Sequence, residues 1–198
     1  MLFRSGSSVF ALGIRTPSQD AAATAQSDAF TAQADNAAAI YYNPAGLTQL
    51  EGTQVAAGTF LWLPDYRFHG VAGTDEMNTA VVLPHFYVAS DYGMGRWRFG
   101  LGFNNVFGTS VEWSDAGPFR ELVTKARLQV LNIAPTVACH LDEHFSLGAS
   151  LNVYHGEAEF ERNVIVAPPP SPEARLRLEG DNPAFRSEER RVGKECRS

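Results

Sequence analysis

The sequence predicts an all-β fold: an antiparallel sheet of the transmembrane-barrel type, preceded by a short helical segment. Three observations carry this. Beyond Gly52 the hydropathy alternates with period two, the connections between alternating segments are long and short in turn, and the stretches Phe99 to Phe107 and Phe145 to Tyr154 carry no charge at all.

The alternation is clearest in Phe145 to Tyr154, where Phe145, Leu147, Ala149, Leu151 and Val153 share one face. Ser146, Gly148, Ser150, Asn152 and Tyr154 share the other. Trp97, Phe99, Leu101 and Phe103 alternate in the same way with Arg98, Gly100, Gly102 and Asn104. Leu131 to Leu141 forms a third such segment, and weaker alternation marks Gln54 to Leu63 and Val81 to Ala89. These are about five strands, each close to the ~9–11 residues with which a tilted strand crosses a hydrocarbon layer.

Pro64 to Thr79, Gly108 to Ala126 and Glu161 to Leu178 are long connections, whereas Asp91 to Arg96 and Asp142 to His144 are short. A barrel in an outer membrane keeps its tight turns on the periplasmic side and its long loops outside. The uncharged polar faces point the same way, because an open sheet in water normally presents charge on its wet face. Gly, Ser and Asn suit a crowded interior in which a plug or ligand approaches the wall. A two-sheet sandwich is the competing reading, and it requires Phe99, Leu101, Leu147 and Leu151 to be sealed beneath a second sheet.

Residues 14–52 are rich in alanine and poor in β-branched residues, which favours short helices. Within them Asn43-Pro44 reads as the start of a single turn ended by Gly52, with Asn43 as the cap and Pro44 in the first turn. Residues 1–13 read as a leader or the remnant of a signal peptide. Residues 53–185 are the partial barrel. Arg186 to Ser198 back-translates into a common sequencing adapter and reads as an artefact tail.

The chain of 198 residues has a formal net charge of -6, and the basic tail makes the remainder more acidic still, which argues against a nucleic-acid surface. Its longest apolar run, Ala37 to Tyr42, is far shorter than the ~20 residues of a membrane-spanning helix. Without the tail one cysteine remains, Cys139, so no intramolecular disulfide is expected.

The stretch Ala34-Asp35-Asn36-Ala37-Ala38-Ala39-Ile40-Tyr41-Tyr42-Asn43-Pro44-Ala45-Gly46-Leu47-Thr48 resembles the plug signature of the FadL/TodX outer-membrane transporters. Asn132-Ile133-Ala134-Pro135-Thr136, Phe145-Ser146-Leu147-Gly148-Ala149 and Leu178-Glu179-Gly180-Asp181 follow in the order and spacing of that family. The resemblance implies a barrel of fourteen strands around an N-terminal hatch, of which this chain supplies the hatch and about five strands. It also implies passive uptake of long-chain fatty acids or other hydrophobic compounds across the bacterial outer membrane. Substrate would leave sideways through a gap at a kink in the third strand. The partners it implies are those hydrophobic small molecules, outer-membrane lipid and the barrel assembly machinery; it implies no cofactor, metal or enzymatic activity.

By this analogy Gly100, Gly102, Asn104 and Asn105 belong to the lateral-opening strand. Val106 falls on the parity that was polar, so the Asn104-Asn105 pair marks either a bulge or the approach to the strand's end at Gly108. Asn43, Pro44 and Ala45 would be the hatch element that meets the kinked wall, with Asn43 bonding to backbone groups left unpaired there. Trp113 to Leu122 and Val164 to Leu178 are candidate outer docking loops, the second stiffened by Pro168 to Pro172. The alternative function is a barrel with a structural or adhesive role. No catalytic motif is present, and His140 and His144 flank a tight turn more simply as rim residues than as metal ligands.

Overall fold

The computed structural model describes residues 16, 18–165 and 173–193. Two short helices, α1 (Ala21–Ala25) and α2 (Ala39–Tyr42), and a 3-10 helix (Pro44–Gln49) precede eight strands. Asp20 starts α1, its Oδ2 accepting from the backbone N–H of Ala22 at 2.9 Å and of Ala23 at 3.1 Å. Pro44 opens the 3-10 helix, where its missing N–H has no partner to lose.

Strands β1 (Thr53–Trp62), β4 (Val81–Ser90), β5 (Trp97–Glu112), β6 (Lys125–His140), β7 (Phe145–Ile165) and β8 (Glu173–Gly193) form one antiparallel sheet in that order. Strands β2 (Tyr66–Gly70) and β3 (Gly73–Met77) form a separate hairpin inside the long connection after β1. The sheet thus has six strands where the periodicity suggested about five, and β8 pairs with β7 through Gly193, past Phe185.

The strands are also longer than expected. A β-strand of 21 residues, the length of β7, rises roughly 70 Å, whereas the hydrocarbon core to be crossed is about 30 Å thick. Their outer ends carry charge on alternate positions, Glu157, Glu159 and Glu161 on β7 and Arg175, Arg177 and Glu179 on β8, and so did not match the uncharged pattern.

One face of the sheet receives the hatch. On it Asn104 and Asn132 are 1% exposed and Ser150 5%, while on the opposite face Leu101 is 46% and Leu151 49% exposed. Phe99 and Leu147 are half-buried. The polar side is therefore inside and the apolar side outside, the reverse of a sandwich core. The main cluster of buried apolar residues lies between hatch and wall, where Phe30, Ile40 and Leu47 meet Tyr87, Ala89, Ala134 and Ala138.

Contact this close requires a wall without side chains at the touching points. A Cβ at Gly100 would lie 2.8 Å from Ile40 Cδ1, and one at Gly102 would lie 2.7 Å from Ile40 Cγ2. A Cβ at Gly148 would overlap the backbone of Pro44 and Ala45, which cannot swing aside as a side chain can. Gly148→Val is therefore expected to destabilise the fold by about 1–3 kcal/mol, the usual cost of overpacking. Denaturant unfolding of the refolded protein measures it, and a midpoint equal to wild type would contradict the contact.

The two tight turns are fastened by aspartates. Asp91 accepts from the backbone N–H groups of Gly93 and Gly52, both at 3.0 Å, and Asp142 from those of His144 at 2.7 Å and Phe145 at 2.8 Å. These bonds hold both carboxyls below their ordinary pKa. The stabilisation is complete above the ordinary carboxylate pKa and disappears as pH falls through the lowered values. A carboxyl-carbon NMR titration should give both midpoints below the ordinary aspartate value of about 3.9; midpoints at or above it would contradict the bonds.

Candidate functional site

Strand β5 breaks its own pattern where hatch and wall meet. Its ladder with β6 shifts register between Asn105 and Phe107, leaving Val106 as the extra residue of a bulge. The ladder between β4 and β5 ends at the same level, at His85–Asn104. Yet β4 remains paired with β1 down to Val81, and β5 with β6 up to Glu112. The two strands therefore part above this point.

A buried backbone group without a partner is costly, so the groups freed here must be met by something else. Asn105 Nδ2 donates to the carbonyl of Pro84 at 3.1 Å. Thr16 N–H donates to the Val106 carbonyl at 3.0 Å, and Gln19 Nε2 to the Asn105 carbonyl at 2.7 Å. From Gln19 a chain of amides crosses the wall. Asn104 Nδ2 donates to Gln19 Oε1 at 3.2 Å, and Asn132 Nδ2 donates to Asn104 Oδ1 at 3.2 Å and to Asn152 Oδ1 at 2.8 Å.

The sequence reading gave Asn43 the task that Thr16 and Gln19 perform. Asn43 precedes the 3-10 helix but makes no side-chain cap bond. Its Nδ2 donates to the Thr31 carbonyl at 2.9 Å, within the hatch. Pro44 and Ala45 lie beneath Gly148 of β7, and Leu47 is the residue of the 3-10 helix that comes close to β5, near Gly100. The Asn43 backbone is extended where it enters the 3-10 helix, and its side-chain amide is committed to Thr31.

At the short-turn end the hatch is tied down again. His140 Nε2 lies 2.9 Å from the Thr48 carbonyl and so carries the proton; Nδ1 then accepts from Ser146 Oγ at 3.1 Å. Thr48 Oγ1 in turn lies 3.0 Å from Ser146 Oγ, and Arg98 Nε donates to the Leu50 carbonyl at 2.7 Å. His140 is thus occupied as an anchor.

Above the bulge the faces of the wall exchange character. The register of β5, β6, β7 and β8 places Phe107, Val111, Leu128, Val130, Phe160 and Leu176 on the hatch-side face, together with Thr109 and Arg162. Glu112, Lys125, Arg127, Glu159, Glu161 and Arg177 share the outer face. There Lys125 pairs with Glu159 at 3.0 Å and Arg177 with Glu159 at 2.7 Å. Of the two candidate docking loops, the first packs Trp113 on Phe119 at 4.8 Å between ring centres, and Phe119 on Phe68 of the β2–β3 hairpin at 4.7 Å. Pro168 to Pro172 lies outside the described residues.

Residues 5–186 match the family described as outer membrane protein transport protein (OMPP1/FadL/TodX). The chain belongs to this family, and its place is the outer membrane. It is 30% identical over 118 residues to a protein of Neisseria meningitidis serogroup B (strain ATCC BAA-335 / MC58) named as an outer membrane protein; the match covers 54% of this chain and 25% of that one. In fold it is similar to the crystal structure of a Pseudomonas aeruginosa FadL homologue, with a TM-score of 0.55 and 14% identity over 76% of this chain and 43% of that one. The chain therefore spans less than half the length of these relatives.

For this FadL/TodX-family wall, sequence reasoning left Asn104-Asn105 as either a bulge or a strand end, which the register shift decides for the bulge; it read His140 only as a rim residue and gave Thr16 and Gln19 no role. A glutamine beside an alanine-rich helix carries no local sign of a partner 86 residues away. Gln19→Leu keeps the approximate shape while leaving the Asn105 carbonyl and the Asn104 amide without partners, at about 1–3 kcal/mol for each buried group. Hydrogen exchange over residues 16–36 should accelerate while that of 145–154 stays unchanged. Wild-type exchange in the first segment would remove Gln19 as the anchor.

Proposed function

We propose that the full-length protein carries long-chain fatty acids or other hydrophobic compounds passively across the outer membrane, through a plugged barrel with a lateral exit. The observation that supports this best is the exchange of faces at the bulge. Above it the hatch-side wall is mostly apolar, with Arg162 as its charged member, a surface that fits an acyl chain with an acidic head. Below it the wall is polar and the hatch fills the space. The apolar berth ends where β4 and β5 part.

Each CH₂ removed from water contributes about 0.8 kcal/mol. A compound that had to re-enter water at the exit would lose this gain. An exit between two strands, opening on hydrocarbon, lets it pass from one apolar surroundings to another. On this reading Gly100 and Gly102 let the hatch sit against the exit strand, and Asn104 and Asn105 hold the bulge in place. Asn43, Pro44 and Ala45 act further back, keeping the 3-10 helix seated against β7 so that the hatch opens as a unit. The hydrophobic compound and the surrounding lipid are the partners, and no group for catalysis is called upon.

Uptake of a labelled long-chain fatty acid by cells carrying the full-length gene tests this, against cells lacking it. The gene should confer uptake, and equal rates would favour a structural or adhesive barrel. Asn43→Ala, which frees the Thr31 carbonyl, should raise the rate about fivefold, the factor corresponding to about 1 kcal/mol of hatch stability. An unchanged rate would remove the gating role of this residue.

A further inference from the structure

Above the Asn105–Pro84 contact, a leucine side chain of β4 spans the parting of β4 and β5. Leu83 lies on the stretch of β4 that has left β5, and it is 1% exposed. Its methyl groups occupy the space that a Cβ at Gly108 would need, so it reaches across the parting and rests on the bare backbone of β5. Beside it a cleft of about 70 Å³ is bounded by Val81, Val82, Leu83, Gly108, Thr109 and Leu128, among others. Leu83 therefore occupies part of a seam that the two backbones leave open.

We propose that Leu83 is the door of the lateral exit, that Gly108 is the seat it closes on, and that the pair sets the width of compound able to leave. This rests on the transport reading above. Three features of the contact suit a door. Leucine is apolar, so swinging it toward lipid or toward a passing acyl chain exposes no polar atom. It turns about χ1 and χ2 between staggered rotamers without any backbone change. Its seat is a glycine, so the closed position needs room on β5 that other residues would fill. The backbone groups at the foot of the seam are already bonded to Asn105, Gln19 and Thr16, and opening the door does not unpair them.

The test uses the full-length protein with Cys139 and any cysteine of the later strands replaced by serine, carrying Leu83→Cys and Gly108→Cys together. A leucine methyl lies two bonds from its Cβ, so the two new Cβ atoms fall near the ~3.5–4.5 Å of a disulfide. With the bridge formed and verified by mass, fatty-acid uptake should be lost, and a reductant should restore it, which also shows that the barrel is folded. Leu83→Ala should shift the preference toward branched or ring-bearing hydrophobic compounds relative to straight chains.

Uptake that persists in the bridged protein overturns the proposal. So does failure of the bridge to form in a protein that still transports, since the contact would then be absent, and so does an unchanged compound preference in Leu83→Ala. If the wild-type protein confers no uptake, the transport reading itself fails, a result distinct from the other three.

Discussion

A backbone that crosses hydrocarbon has to pair every N–H and C=O group, because no water is present to substitute. In this chain that requirement governs both the regular wall and its exception. Antiparallel ladders satisfy it along β5, β6, β7 and β8, and the apolar residues on the exposed face follow from what surrounds the wall. Where the bulge at Val106 interrupts the ladder, the requirement has to be met by other donors. Thr16 and Gln19 supply them from the hatch, and Asn105 from its own strand. The kink and the plug are for this reason joined: both bulge carbonyls accept from the segment that leads into α1.

The hatch reaches that position because the wall yields space. Gly100, Gly102 and Gly148 remove the side chains that would hold it off, and Ala37, Ala38 and Ala39, where α2 begins, are small and fully covered. Tight approach and polar anchoring support one another. The amide chain through Asn104, Asn132 and Asn152 can be dry because the hatch covers it, and dry amides bind more strongly than wet ones. The fastening at His140, Thr48 and Ser146 works at the other end of the same interface. The hatch is thus held at two ends and packed between them.

Much of this was legible in the residues. The alternation from Phe145 to Tyr154 and from Trp97 to Phe103 announced strands with an uncharged inner face, and the misfit at Asn104-Asn105 lies at the register shift. The outer halves of β7 and β8 escaped notice because their polarity is inverted: Glu157, Glu159 and Glu161 face outward above the apolar band, so a search for uncharged polar faces passed over them. The β2–β3 hairpin is short and sits within what composition marks as a loop. The partners of Gln19 and His140 were hidden for a different reason. Contacts across long stretches of sequence depend on where the hatch lands, and no local pattern records that.

The most direct test of the account is a nitroxide scan of the full-length protein in bilayers, comparing collisions with oxygen, which concentrates in hydrocarbon, and with a water-soluble nickel chelate. Labels at Leu101, Ile133 and Leu151 should collide freely with oxygen and little with nickel, and labels at the opposite-facing positions Asn132 and Asn152 should be shielded from both. Shielding of Leu101 and Leu151 from oxygen, with the opposite-facing positions open to either probe, would contradict a wall that wears its apolar side outward.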